Sequence, residues 1–379
     1  MEIQNNLKDD FRYKNNFDLL RFLAAVLVIF GHSFHLLHLY TEEPLTMATG
    51  SLYFGNIGVY IFFVVSGYLV LSSWERNPNF KNFFKNRILR IVPALVIVVV
   101  ATVFLLGSIV TTLDLKHYLL NSETWKYLET ITIFRIQYSL PGVFEQNIFS
   151  STVNGSLWTL PVEFSLYILL FIMGILGFYK KRITILLLLL FSLFFYIVYQ
   201  KSLTPSHNDI VVLGIFFIAG MVYFLYKDKI FYDVKILLIL LFIWILSFNS
   251  TYLIPTSLVF ISYFVMYFAF ISNKRLNSFG KFGDFSYGMY ILAFPIQQTI
   301  ILFSGNTIQP LELFFSTLLV VLPLAILSWY LIESPALQLK KNTFYETDVM
   351  GDRFSKSEFF DMPEGARQEL SDMKSKTSP

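Results

Sequence analysis

"LRFLAAVLVIFGHS", residues 20–33, is the stretch on which the fold turns. It lies in an apolar run from about residue 17 to 39, long enough to cross a bilayer as a helix. Yet it carries Arg21 and His32, and ionisable side chains within a span are costly unless they face a cavity or a partner. Taken singly, each has an ordinary explanation: Arg21 can snorkel to the headgroups, and His32 can make an interhelical hydrogen bond. Together they are harder to dismiss. At 3.6 residues per turn their separation is close to three whole turns, so both share one helix face, about 16 Å apart along the axis.

The rest of the chain repeats this pattern. Hydrophobic residues make up 55% of its 379 positions and charged ones 15%, against about 25% charged in soluble domains. The mean hydropathy of +0.59 belongs to a polytopic membrane protein. Ten spans are expected, near 17–39, 52–73, 90–110, 156–178, 183–200, 210–226, 236–250, 254–272, 286–304 and 313–334. Under the positive-inside rule, Lys and Arg separate the loops into two sets. Seventeen basic residues fall on the side of the N-terminal arm, and four (Lys116, Lys126, Arg135, Lys201) on the other. The fold class expected is therefore all-α, an integral membrane bundle of about ten helices with both termini cytoplasmic. Its divisions are an N-terminal arm, 1–16, a membrane domain, 17–337, and a polar, disordered or loosely helical tail, 338–379. Within the membrane domain, residues 111–155 form a long external loop with room for a short interfacial helix. The first run lacks a small-residue cleavage site, so no cleaved signal is expected. Absence of Cys excludes disulfides and thiolate chemistry. The net charge of +3, with no basic patch among stacking aromatics, argues against nucleic acid.

Two further clusters carry chemistry. In "NGSLWTLPVEFSLY", residues 154–167, Glu163 enters its span from outside and reaches about the depth that His32 reaches from the other direction. If those two spans touch, a His–carboxylate pair forms and the acid orients the imidazole. In "KNRILRIVPAL", residues 85–95, Arg87 and Arg90 share a helix face at the cytoplasmic start of the third span. Basic topology alone explains them, but a paired guanidinium face also suits phosphates. His35 and His38 follow His32, yet His38 is rotated away and no acid sits at useful spacing, so no metal site is expected.

Arg21 and His32 in R-x10-H, "GNIGVYIFFVVSGYL" (55–69), "RILRIVP" (87–93), "SLWTLPVEFSLY" (156–167), "FSYGMYILAFP" (285–295) and "ESP" (333–335) form an ordered set. Together they resemble the acyltransferase-3 family of integral-membrane enzymes, which acylate hydroxyls of cell-envelope glycans. The resemblance implies that Arg21 and His32 are the essential basic residue and histidine, Arg87 and Arg90 the basic pair, and Glu163 the conserved acid. Ser66, Gly67 and Tyr68 match the family's Ser-Gly-aromatic element. Tyr60 and Ala293 depart from it, standing where many members carry Asp and His.

On this reading a cytosolic acyl-CoA, most simply acetyl-CoA, sets its phosphates among Arg87, Arg90 and Arg21. Its arm rises past Ser66 and Tyr290 toward His32. The acceptor is an envelope polysaccharide or glycolipid hydroxyl, the setting the bacterial cytoplasmic membrane, and no permanently bound cofactor is expected. The rival reading is a proton-coupled transporter or exporter of a small anionic or envelope substrate, with His32 and Glu163 as a proton relay. It is disfavoured by the lack of internal repeats.

Overall fold

The computed structural model describes residues 15–271, 276 and 279–339. The tail beyond 339 and all of the N-terminal arm but residues 15 and 16 lie outside the described residues, as do Lys274 and Arg275 of the charge tally. Among the described residues ten longer helices follow one another: α1 (Phe17–His35), α2 (Phe54–Arg76), α3 (Phe80–Ala101), α4 (Thr159–Ile175), α5 (Arg182–Tyr199), α6 (Pro205–Leu225), α7 (Val234–Leu246), α8 (Leu253–Phe270), α9 (Ser286–Phe303) and α10 (Pro310–Ser328). No strand occurs among the described residues. Lipid offers backbone amides no hydrogen-bond partner, so apolar runs of this length close their bonds within themselves as helices.

Nine of the ten are long and apolar enough to cross a membrane, and the protein is an integral membrane protein with multiple spans. The exception is α7. Its 13 residues rise only about 20 Å, short of a ~30 Å hydrocarbon core. Several boundaries also differ from those expected from the sequence, among them the start of α6 at Pro205 rather than 210, the end of α1 and the start of α3. α1 ends at His35 rather than 39, because the chain then turns and His38 adopts a positive φ of 56°. α3 begins at Phe80 rather than 90, with the Asn79 side chain accepting the Asn82 N–H at 3.1 Å as an N-cap. Its first turns carry Lys81, Lys85 and Arg87, which lower the hydropathy and disguise a helix as a loop. Arg87 and Arg90 therefore stand two to three turns into the helix.

The bundle has two distinct ends. At one, the connections meet: His38 Nε2 lies 3.0 Å from the Ile148 carbonyl, Asn306 bonds both Gln146 and Ile148, and Asn249 donates to the Ala48 carbonyl. The 111–155 loop lies here. It contains short helices at Leu115–Leu120 and Ser122–Lys126 and a 3-10 turn at Tyr127–Thr132, and Tyr118 donates to the Val103 carbonyl at 2.9 Å. The opposite end carries most of the basic residues.

α2 is central, packed extensively against α1 and α6, with α9 and α10 along the far side of α1. This packing depends on missing side chains. A Cβ on Gly58 would lie 2.4 Å from the Ala24 carbonyl oxygen of α1, and one on Gly67 would lie 2.0 Å from the Phe217 carbonyl oxygen of α6. Small residues let backbones approach, which matters in lipid where no hydrophobic force drives helices together. Gly67→Ala is expected to cost about 3 kcal/mol, the upper end of overpacking, because a helix carbonyl cannot step aside. Thermal unfolding in detergent should show a lowered midpoint, and an unchanged midpoint would contradict this packing.

Candidate functional site

A cavity of about 1270 Å³ runs up the bundle between α1, α2, α3, α4 and α9. Along α2 it is lined from Arg76 to Val59, seventeen residues or about 25 Å of helix. Of the residues expected from the sequence, it brings together Arg21, Ser66, Arg87, Arg90, Glu163 and Tyr290. His32 is absent from its walls. It lines a second, smaller cavity of about 30 Å³ nearer the loop end, with Tyr53, Asn56, Tyr60, Ser156, Trp158 and Asp209. Tyr290 and Val59 line both, so they form the partition.

Each side chain is set by local structure. Gln297 of α9 donates to the Ile29 carbonyl at 3.0 Å and to Ser33 Oγ at 2.9 Å, locking α9 onto the turn of α1 that carries His32. The His32 ring meets Phe294 edge-on at 5.4 Å, and its Nδ1 is buried without a hydrogen-bond partner. Glu43, fully buried, accepts from the Phe54 N–H at 3.0 Å and the Thr46 N–H at 2.7 Å. A carboxylate at two helix N-termini fixes where α2 begins and where Tyr53 stands. Asn154 donates to the Ile291 carbonyl at 2.8 Å and accepts from Ser156 N–H, seating the 3-10 turn Gly155–Trp158 against α9. Tyr290 then donates to the Ser156 carbonyl at 2.8 Å, with Thr159 Oγ1 2.7 Å away. The partition is thus held by hydrogen bonds at its hydroxyl.

The His32–Glu163 pair anticipated from matching depth is not formed. Glu163 Oε1 accepts from Ser66 Oγ at 3.1 Å and, in a short contact, from the Tyr167 hydroxyl. Ser66 and Tyr167 are themselves 3.1 Å apart. The depths do agree: His32 precedes the end of α1 by three positions, and Glu163 follows the start of α4 by four. The difference is lateral. α4 packs on α2 and α6, so the Glu163 carboxylate meets a hydroxyl of α2 first.

At the basic end, the arginines fall into two kinds. Arg21 bonds Asp18 at 2.5 Å and reaches Asp284 at 3.3 Å, while Arg90 makes a short bond to the same Asp284 oxygen. Burial pushes the Asp284 carboxyl up, but Arg21, Arg90 and Ser286 outweigh it and hold the group below the ordinary carboxylate range. Arg87 makes no ion pair or hydrogen bond among the described residues. Its guanidinium packs over the rings of Phe83 and Tyr167, at 4.9 and 5.8 Å.

Three residues of these cavities were not singled out as site candidates from the sequence: Asp284, Asp209 and Tyr167. Asp284 directly precedes the quoted "FSYGMYILAFP", and an acid flanking a span on a basic side was the available signal. Asp209 sits one residue before the expected sixth span, where it passed for a boundary residue.

Ser66→Ala or Tyr167→Phe each leave Glu163 one donor, whereas the double variant leaves none. The double variant is expected to be less stable than the sum of the singles by about 0.5–3 kcal/mol, measured as a thermal double-mutant cycle. Strict additivity would mean that the three groups do not act as a network.

Comparison with known proteins identifies the family of the chain. A family model described as an acyltransferase domain matches residues 14–333. An O-acetyl transferase of Shigella phage Sf6 is 29% identical over 338 residues, covering 84% of this chain and 95% of that protein. Nodulation protein 10 of Rhizobium leguminosarum bv. viciae is 35% identical over 162 residues, 42% of this chain and 43% of its own length. The peptidoglycan O-acetyltransferase OatA of Listeria monocytogenes serovar 1/2a is 30% identical over 171 residues, 42% of this chain and 24% of its own length. No solved structure matches the chain. With the match spanning all ten helices, the chain belongs to the acyltransferase-3 family and is an integral-membrane acyltransferase.

Proposed function

We propose that this protein is an O-acetyltransferase. It moves an acyl group, most simply acetyl, from a cytosolic acyl-CoA to a hydroxyl of a cell-envelope polysaccharide or glycolipid, across the bacterial cytoplasmic membrane. With α7 counted as a tenth crossing despite its length, both termini are cytosolic, a topology that the distribution of Lys and Arg supports. The names of two relatives, an O-acetyl transferase and a peptidoglycan O-acetyltransferase, support the reaction class.

One observation carries this reading. A long cavity with Arg21, Arg76, Arg87 and Arg90 toward one end meets, at Tyr290 and Val59, a second cavity that holds His32. Guanidiniums suit the phosphates of the donor. The acyl arm then lies along α2, past Ser66 and up to Tyr290. Glu163, bonded to Ser66 and Tyr167, belongs to this donor cavity and shapes its wall, so it does not orient His32 directly. The second cavity offers hydroxyl, amide, indole and carboxylate groups from Tyr53, Asn56, Trp158 and Asp209, a lining suited to a saccharide hydroxyl.

His32 stands on the acceptor side of the Tyr290–Val59 partition, so the acyl group reaches it past those two side chains. As a general base, its neutral imidazole takes the proton of the acceptor hydroxyl while that oxygen attacks the thioester carbonyl. The C–S bond breaks, and the departing thiolate recovers the proton from His32 as free CoA. Alternatively His32 takes the acyl group first and passes it on, a two-step route with the same balance.

His32→Ala is expected to lower transfer by at least about 10²-fold, the lower limit for loss of a general base. Radiolabelled acetyl-CoA consumption by purified protein and envelope ester content at equal protein abundance would measure it. Ordinary acylation by the variant would sink the proposal.

A further inference from the structure

We propose that Asp284 is a positioning residue for the donor's phosphates, acting through Arg21 and Arg90. This rests on the reading that the donor is an acyl-CoA. Arg21 on α1 and Arg90 on α3 both reach Oδ2 of Asp284, while Oδ1 is occupied by Ser286, whose N–H lies at 3.2 Å and whose hydroxyl lies at 2.5 Å. The carboxylate is 7% exposed and lines the large cavity with both arginines. Its oxygens are thus fully committed, one to the start of α9 and one to two cations from different helices.

The segment is built to deliver it. Gly283 adopts φ +118°, and a Cβ there would lie 2.3 Å from the Trp329 indole nitrogen. Trp329 opens the π-helical turn Trp329–Glu333 that continues α10 and packs against α3. Tyr287, one turn further on, donates to the Ile91 carbonyl at 2.8 Å, so α9 is pinned to α3 immediately beside Arg90.

Two guanidiniums sharing one oxygen repel each other. Asp18 also holds Arg21, at 2.5 Å, but among the described residues only Asp284 joins Arg21 to Arg90. Without that shared anion the long Arg90 side chain loses its anchor and the two cations are no longer held together. Asp284 engages Nη2 of each, and among the described residues neither Nη1 has a hydrogen bond. That leaves a preset pair of donors facing the same cavity as Arg87, which makes no ion pair or hydrogen bond among the described residues. A phosphate ester entering there meets cations already placed, so less ordering cost falls on the binding step.

The test compares two donors, acetyl-CoA and acetyl-pantetheine, which carries the thioester but no phosphate. Purified wild-type protein, Asp284→Asn and Asp284→Glu are assayed for kcat/KM with each, alongside thermal midpoints. The preference for acetyl-CoA over acetyl-pantetheine should fall about tenfold in Asp284→Asn, mostly through KM for acetyl-CoA, with partial recovery in Asp284→Glu. A purely structural role would lower both donors in proportion and leave the ratio unchanged, which overturns the proposal. A ratio that rises in Asp284→Asn would show the carboxylate competing with phosphate, and overturns it too. If Asp284→Asn does not fold, Asp284→Glu decides, since its charge persists while its reach changes. Wild-type protein that consumes neither donor would instead overturn the acyl-CoA reading itself.

Discussion

At Gly67 the carbonyl oxygen of Phe217 occupies space a methyl group would need, and at Gly58 the carbonyl of Ala24 does the same. These two contacts place α2 against α6 on one side and α1 on the other. The site depends on them. α1 contributes Arg21 and His32, α2 contributes Ser66, and α2 lines the large cavity for much of its length. In a bilayer, burying apolar surface between helices gains little over contact with lipid, so close backbone approach supplies the dispersion and the fixed geometry. Side chains bulkier than hydrogen at these positions would displace the polar residues relative to one another.

Polar groups supply the second layer of specification. Several buried hydrogen-bonding groups join helices that the apolar surface alone would leave free to slide. Gln297 ties α9 to α1, Tyr287 ties α9 to α3, Ser66 ties α2 to α4, and Asp284 gathers α1, α3 and the start of α9. Leaving such a group unpaired in a low-dielectric interior is costly, which makes each pairing a strong constraint on register. The cations are therefore of two kinds. Arg21 and Arg90 are held by carboxylates, whereas Arg87 lies on aromatic rings with its hydrogen-bonding capacity unspent.

Along the helix axes, much of the site was legible. The three-turn spacing put Arg21 and His32 at different depths on one helix, and the two line different cavities. Depth also matched for His32 and Glu163. Azimuth did not, because counting residues along two helices says nothing about which faces turn toward each other. Ser66 could have been assigned as the partner of Glu163 only by knowing that α2 stands beside α4. Asp284 went unnoticed for a related reason: a single acid between two spans has no periodicity, and its importance comes from two arginines far away in sequence. The start of α3 was misjudged because charge on an amphipathic first turn lowers hydropathy as much as a loop does.

Local patterns, then, determined what depends on composition and spacing: a helical membrane bundle, the separation of basic from non-basic ends, and the residues with chemistry to perform. They carried that information because hydropathy and helical pitch act over adjacent residues. Only the tertiary structure decided which polar groups meet, that His32 lines a small cavity apart from the large one, and that Tyr290 and Val59 stand between them. Those outcomes rest on contacts between residues up to 268 positions apart, as at Gln297 and Ile29, and on glycines whose role is to have no side chain where another backbone passes.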